Sequence, residues 1–172
     1  MGEIMPIPND RCIAPFNGPL EIGLRMIAIL NDAYPDAHSL QRLTLFDYLV
    51  VHSDDIEGGP KGLHPKTPHR SGELFVRRDV IQKGLYLYMS RNLVERKFQD
   101  TGIHYAATEY TAAFLDTLEA EYIHALRERA AWLISRFGSM TDAEMETFVH
   151  SHIDKWGAEF EMESVLWSED SI

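Results

Sequence analysis

Two histidines in a proline-rich segment are the first side chains whose type and spacing could support chemistry. The run HPKTPHR places His64 and His69 five positions apart, with Arg70 directly after them. Imidazoles ligate metals and exchange protons near neutral pH. A catalytic zinc usually takes three protein ligands, and no His-Glu-x-x-His or comparable pattern supplies the third. We therefore expect these histidines to form structural hydrogen bonds, and we predict no metal or cofactor site.

The other residue types that carry catalysis lack the required spacing. His150 and His152 lie two apart on a predicted helix, which puts them on different faces. Residues 57–62 are glycine-rich but lack the spacing and the following Ser or Thr of a phosphate-binding loop. Cys12 is the single cysteine, so the chain can form no internal disulfide, which is typical of a reducing cytosol. These patterns predict a cytoplasmic protein that is not an enzyme and has no catalytic residues.

Charge is distributed unevenly along the chain. The 172 residues carry 16 basic and 27 acidic side chains, a net charge of −11. Residues 1–98 hold 12 of each sign, so the whole excess of negative charge lies in residues 99–172. Residues 61–97 are locally basic, with nine basic and three acidic residues. This polarity suits contacts with one acidic and one basic neighbour. Apolar runs of about five residues are too short to predict a membrane span.

Apolar periodicity predicts the helices that position these residues. Residues 19–33 follow the 3.6-residue period until Tyr34-Pro35. Ser39 can cap a second helix, residues 40–51. This helix is apolar on most faces, so it should be buried. A third helix, residues 73–91, has one narrow polar stripe. The 20 residues 53–72 between the second and third helices form a long loop, and loops of that length are usually functional or disordered.

Two short strand-like runs, residues 93–98 and 103–107, follow the third helix and are joined by a turn with Asp and Gly. A further helical stripe has a possible break near residues 119–121, and Thr141 has the spacing of a cap for a last helix. We predict a mainly α protein with a small β-hairpin, a winged helix-turn-helix with a helical C-terminal extension. The predicted parts are an N-terminal arm (1–18), a winged-helix-like domain (19–108), a helical extension (109–157) and an acidic, apolar tail (158–172).

The third helix and the hairpin carry the residues that we expect to contact DNA or an acidic protein partner. Asp79 in the polar stripe and the net negative charge favour a protein partner over sequence-specific DNA readout. In the tail, apolar residues alternate with glutamates, and the segment either folds back or docks on a partner through an aromatic anchor. The candidate contact residues are Arg70, Arg77, Arg78, Gln82, Lys83, Arg96 and Lys97, and the candidate docking residues are Phe160, Leu166 and Trp167.

Several segments resemble one known family. The pattern resembles the small middle component of ABC-three-component systems, which are bacterial anti-phage systems related to Lamassu. Its most specific part is HPKTPHRSGEL, followed by the helix that contains Arg77 and Arg78. The segments are PFNGPLEIGLR (15–25), LQRLTLFDYLVVHSDD (40–55), LHPKTPHRSGELFVRRDVIQKGLYLYMSR (63–91), YAATE (105–109), LRERAAWLISRFG (126–138) and WGAEF (156–160).

The resemblance implies a non-catalytic adaptor in a hetero-oligomer. Such a subunit holds an SMC-like ABC ATPase and an effector, often a nuclease, together or helps to sense foreign DNA. The family brings no established catalytic residues, so none are carried over. Two other functions remain open. A winged-helix transcription regulator would need a self-complementary dimer surface and an exposed basic third helix, and a hydrolase would need the two loop histidines to converge on a carboxylate or a metal.

Overall fold

A computed structural model describes residues 18–65 and 70–156, and of residues 70–76, 150 and 153–156 it describes the backbone alone. Apart from Gly18, the predicted N-terminal arm and the acidic tail lie outside the described residues. None of the described helices combines the length and apolarity needed to cross a bilayer. The elements are α1 (Pro19–Ala33), β1 (His38–Ser39), α2 (Leu40–Val51), a 3-10 turn (Ser53–Asp55), α3 (Arg70–Met89), β2 (Val94–Gln99), β3 (Gly102–Ala107), α4 (Thr111–Asp116), α5 (Glu121–Phe137) and α6 (Asp142–Trp156).

Local capping signals determine where three of these helices begin. Pro19 starts α1, where its missing N–H costs no helical hydrogen bond. The Ser39 hydroxyl accepts a hydrogen bond from the Arg42 N–H at 3.2 Å and caps α2. At α6, the Thr141 N–H donates to Glu144 Oε2 at 2.7 Å, and the Glu144 N–H donates back to Thr141 Oγ1 at 3.2 Å. The predicted caps of α2 and α6 are therefore confirmed.

Helix α2 lies at the centre of the core. Every residue from Arg42 to Val51 is buried, which confirms the expectation from its apolar composition. Helices α1, α3 and α5 pack around it. Each fully buried large apolar side chain contributes about 1.5–3 kcal/mol relative to an exposed one. The break in the C-terminal helical stripe is also confirmed, because α4 ends at Asp116 and α5 begins at Glu121.

Two glycines allow α1 and α3 to cross at close range. A Cβ atom on Gly84 would lie 2.8 Å from the Cα atom of Gly23. A Cβ atom on Gly23 would lie 2.5 Å from the ring of Tyr88. Since van der Waals repulsion forbids such distances, any side chain at either position would push the helices apart. The close crossing fixes one side of α3 against the core and leaves Asp79 and Lys83 exposed on the other.

The three strands form a small antiparallel sheet in the order β1-β3-β2. The predicted hairpin is confirmed, and the mainly helical composition with it. The sequence analysis missed β1, because two residues carry no periodic signal. It also placed the start of the third helix at residue 73, whereas α3 begins at Arg70. Strand β2 pairs with β3 alone among the described strands, so it forms an edge of the sheet.

Candidate functional site

The exposed side of α3 and the β2–β3 hairpin meet through a network of hydroxyl and amide groups. The Gln82 amide donates to the Tyr86 hydroxyl at 3.0 Å. The pKa of the Tyr105 hydroxyl is raised by burial first and then by the neighbouring Tyr86. Tyr105 also lies directly across from Arg96 in the hairpin. These contacts make one continuous surface, named here the helix–hairpin surface, whose residues are Arg78, Asp79, Gln82, Lys83, Tyr86, Arg96, Phe98 and Ile103.

Charges on the helix–hairpin surface are mixed in sign. Lys83 Nζ lies 2.7 Å from the Asp79 carboxylate, one helical turn away. On the opposite face of β2, Lys97 Nζ lies 3.5 Å from the Glu95 carboxylate and donates to the Pro35 carbonyl at 3.3 Å. Exposed ion pairs of this kind are worth about 0–1 kcal/mol. A partner carboxylate can therefore displace them at little cost.

Apolar side chains lie among these charges at the tip of the hairpin. Phe98 is 78% exposed and Ile103 is 45% exposed. The two residues are paired directly across β2 and β3. On α3, Tyr86 is 46% exposed. The sequence analysis did not select these three residues as contact residues, because it searched the basic segment for cations. Phe98 could have been found as the outermost apolar residue of a strand beside a turn.

Four of the seven predicted contact residues belong to this surface: Arg78, Gln82, Lys83 and Arg96. Lys97 lies on the opposite face of β2, where it is paired with His104. Arg70 is the first residue of α3, and its side chain lies outside the description. The docking residues Phe160, Leu166 and Trp167 lie outside the described residues. The roles assigned to all of these residues remain predictions.

Arg77 requires a correction of its predicted position, because its side chain is buried at 7% exposure. Its Nη1 donates to Asp47 Oδ2 at 3.0 Å. Arg25 binds the same carboxylate through two bonds, from Nε to Oδ1 at 2.7 Å and from Nη2 to Oδ2 at 3.0 Å. Successive residues of a helix point about 100° apart, so Arg77 faces the core while Arg78 is partly exposed. Arg25, Asp47 and Arg77 are named here the ionic cluster.

The carboxylate of Asp47 is the centre of the ionic cluster. Burial by itself would raise its pKa, but the positive charges of Arg25 and Arg77 outweigh burial and hold the pKa below its usual value. Burial opposes the charge of Arg25 as well, and Asp47 outweighs it, so the pKa of Arg25 is raised. Asp47 and Arg25 are therefore charged at neutral pH. The cluster ties α1, α2 and α3 together inside the core.

His64 attaches the loop after α2 to helix α5. One of its ring nitrogens, Nε2, lies 3.1 Å from the Tyr122 hydroxyl, and the two rings are stacked. Burial and then the charge of Arg25 lower the pKa of His64 to about 4, so the ring is neutral at pH 7. The His64 and Leu63 N–H groups donate to the Val51 carbonyl. The predicted structural hydrogen bonding of His64 is confirmed, and His69 lies outside the described residues.

A polar cavity of about 370 Å³ lies between β1, the hairpin turn and the turn before α6. The Arg42 guanidinium at its wall donates to Asp142 Oδ1 at 2.9 Å and to the Phe137 carbonyl at 2.9 Å. Burial and then the charge of Arg42 lower the pKa of His38, another lining residue, to about 4. The paired Arg42 guanidinium thus connects α2 to the C-terminal helices. The neutral imidazole of His38 lines the same cavity. In the described residues, no group of three or more His, Cys, Asp or Glu side chains could hold a metal ion.

Comparison with known protein families gives a match over most of the chain. The model of a family described as ABC-three component (ABC-3C) system Middle Component 2 matches residues 15–159. This range contains every helix and strand described above. No curated protein and no solved structure matches the chain.

Proposed function

The chain belongs to the Middle Component 2 family of ABC-three component systems, and from this membership we propose that it is a non-catalytic adaptor subunit. It links an SMC-like ABC ATPase to an effector, often a nuclease, in a cytosolic anti-phage complex related to Lamassu. The observation that carries the proposal is the family match over residues 15–159. The helix–hairpin surface supports it, because this surface offers both charge and exposed apolar area to a neighbour.

The order of the elements supports a winged-helix interpretation of the first domain. Helix α1, strand β1, helices α2 and α3, and the hairpin follow one another in the chain, and the sheet order is β1-β3-β2. A winged helix-turn-helix has this arrangement, with α3 as the recognition helix and the hairpin as the wing. The helix–hairpin surface then corresponds to the side on which such domains meet their ligands.

The charges on α3 favour an adaptor over a transcription regulator. A regulator would need an exposed, basic third helix. Arg77 instead faces Asp47 in the core, and Lys83 is paired with Asp79 on the surface. A third helix with these charges is poorly suited to follow the phosphates of a DNA groove. Contact with DNA through Arg96 and Lys97 is a secondary proposal, which the salt dependence of binding tests.

Co-purification of the tagged chain with its two system components tests the adaptor proposal. We expect both components to be retained, and we expect removal of this chain to separate the ATPase from the effector. The chain alone should hydrolyse neither ATP nor DNA in the presence of Mg²⁺, Mn²⁺ or Zn²⁺. Retention of neither component would contradict the adaptor role. Reproducible DNA cleavage that is lost in His64→Ala would contradict the absence of catalysis.

A further inference from the structure

We propose that the helix–hairpin surface binds an extended segment of a partner protein, which adds as a strand to the open edge of β2. The segment covers Phe98 and Ile103 with an apolar side chain and places carboxylates beside Arg96 and Lys97. Its source is another component of the same system. This inference deepens the proposed function and rests on it, because it names the kind of partner that the adaptor surface takes.

The apolar face of the hairpin continues beyond the core. Residues of one strand that are two apart share a face, so Ile103 lies on the face of Tyr105, and Phe98 pairs with Ile103. Tyr105 is 3% exposed, whereas Ile103 is 45% and Phe98 is 78% exposed. Single exposed apolar residues are ordinary on protein surfaces. Here two of them are direct neighbours and extend a buried face into solvent, which marks an apolar anchor site.

The backbone of β2 offers hydrogen bonds at the same place. In an antiparallel pair, every second residue turns its N–H and C=O groups away from its neighbour. Because β3 is the one described strand that pairs with β2, those groups of β2 face outward. A partner strand there gains main-chain hydrogen bonds, and its alternating side chains meet Phe98 on one face and Lys97 on the other. The open edge of β2 and the exposed apolar side chains therefore lie at the same end of the hairpin.

The charges around this site favour protein over nucleic acid. The lysines at positions 83 and 97 each lie beside a carboxylate, and Asp100 lies in the turn at the tip. Proteins that bind DNA through its phosphates typically neutralise about 6–10 of them with cations. Protein interfaces have an aromatic or apolar centre and a polar, charged rim. Phe98 and Ile103 with the surrounding ion pairs fit the second description.

Two variants of the full chain test the site by capture of the ATPase and the effector. Phe98→Ser and Ile103→Thr change exposed side chains, so both variants should fold. We expect each to lower capture of one component at least tenfold, as loss of an interface anchor does. Tyr110→Ser is the control, because Tyr110 is 58% exposed and precedes α4 outside the helix–hairpin surface. It should capture both components normally.

Hydrogen exchange provides a second measurement in the full-length chain. We expect the outward-facing N–H groups of residues 94–99 to exchange quickly in the isolated chain and slowly in the complex. Fast exchange in the complex would overturn strand addition. If the wild-type chain captures neither component, the adaptor proposal fails together with this inference. If the wild-type chain and Phe98→Ser capture both components equally, the adaptor proposal stands and this inference alone fails.

Three further outcomes would assign the site to another occupant and overturn the proposal. If Phe98→Ser weakens binding to a duplex DNA probe and leaves component capture intact, the hairpin tip is a DNA wedge. If light scattering shows a dimer that Phe98→Ser dissociates, the occupant is a second copy of the chain. If β2 is already protected in the isolated chain and loses protection when residues 160–172 are deleted, the occupant is the chain's own tail.

Discussion

The ionic cluster and the helix–hairpin surface each contain an ion pair, which is buried in the first and exposed in the second. The Arg25–Asp47 and Lys83–Asp79 pairs both have their closest atoms 2.7 Å apart. The first pair is fully buried, while the side chains of the second are 61% and 66% exposed. Removing one partner of a buried pair typically costs about 3–5 kcal/mol, whereas an exposed pair is worth about 0–1 kcal/mol. Environment, rather than distance, therefore decides what each pair does for the protein.

Arg77 and Arg78 show the same contrast between adjacent residues. Arg77 donates to the buried Asp47, and Arg78 lies partly exposed on the helix–hairpin surface. One arginine therefore holds α3 against the core, and its neighbour is placed to meet a partner. A basic run in a sequence cannot by itself be assigned to a binding surface.

The largest effect is expected for Asp47→Asn, which removes the buried carboxylate that Arg25 and Arg77 share. We expect the free energy of unfolding to fall by about 3–5 kcal/mol. Urea denaturation of the full chain measures this change. The matched control is Asp79→Asn, which removes the same charge from an exposed pair and should cost less than about 1 kcal/mol. Equal losses for the two variants would contradict the contrast between the regions.

Charge reversal on the helix–hairpin surface should change binding and spare the fold. The triple variant Arg78→Glu, Lys83→Glu and Arg96→Glu should lower affinity for the partner at least a hundredfold, roughly 2.7 kcal/mol. Its free energy of unfolding should stay within about 1 kcal/mol of wild type, since surface changes are mild. Binding assays over a range of salt concentrations give the affinity. Wild-type affinity that does not fall with salt, or a triple variant that binds normally, would place the charged interface elsewhere.

As pH falls, the stability of the core should decrease before exposed carboxylates become protonated. His64 and His38 have pKa values lowered to about 4, from 6.5 in the unfolded chain, so the unfolded state binds protons first. Their contribution to stability is complete above pH 6.5 and is lost as pH falls towards 4. A difference of one bound proton changes the free energy of unfolding by at most about 1.4 kcal/mol per pH unit. The change from His64 should be smaller, because its ring is only partly buried.

Urea denaturation between pH 6.5 and 5 isolates this effect, because carboxylates titrate mainly below pH 5. His64→Gln should reduce the slope of stability against pH. His152→Gln is the control, because it changes a histidine on α6 away from the ionic cluster. An unchanged slope in His64→Gln would mean that burial and the charge of Arg25 do not lower the His64 pKa.

The smallest effect compares two cations, Lys61 in the loop between α2 and α3 and Arg70 at the start of α3. Arg70→Ala should weaken assembly with the system components several-fold, because a guanidinium can form bidentate bonds with a partner carboxylate. Lys61→Ala should change it less, because the backbone carbonyl of Lys61, rather than its side chain, accepts the bond from Arg129. Quantitative co-purification measures both. Equal, negligible effects would show that this loop is only a connection between α2 and α3.

Local signals were sufficient to predict much of the fold. The caps at Ser39 and Thr141 and the helix start at Pro19 depend on side chains within a few positions of the atoms that they serve. The buried character of α2 follows from composition around the whole helix. The hairpin follows from two strand-like runs and a turn between them. Strand β1 was not predicted, since its two residues become a strand only when β3 lies beside them.

The candidate site was predicted in part, for a related reason. Periodicity placed Gln82 and Lys83 on one stripe of α3, because a helix fixes the angle between its own residues. It did not reveal that Arg77 faces inward, since that depends on a carboxylate 30 residues earlier in the chain. The position of Phe98 at the end of a strand beside a turn was visible in the sequence, but its exposure depends on how far the hairpin extends past the helices.

By itself the sequence determined the helix boundaries to within about three residues, the uneven charge and the family, all of which are properties of order along the chain. Tertiary structure alone decided that Asp47 joins Arg25 and Arg77, and that Phe98 and Ile103 meet solvent. The physical reason is that burial and pairing depend on residues brought together from distant positions. A charge or an aromatic ring has the same letter in the sequence whether it ends in the core or at the surface.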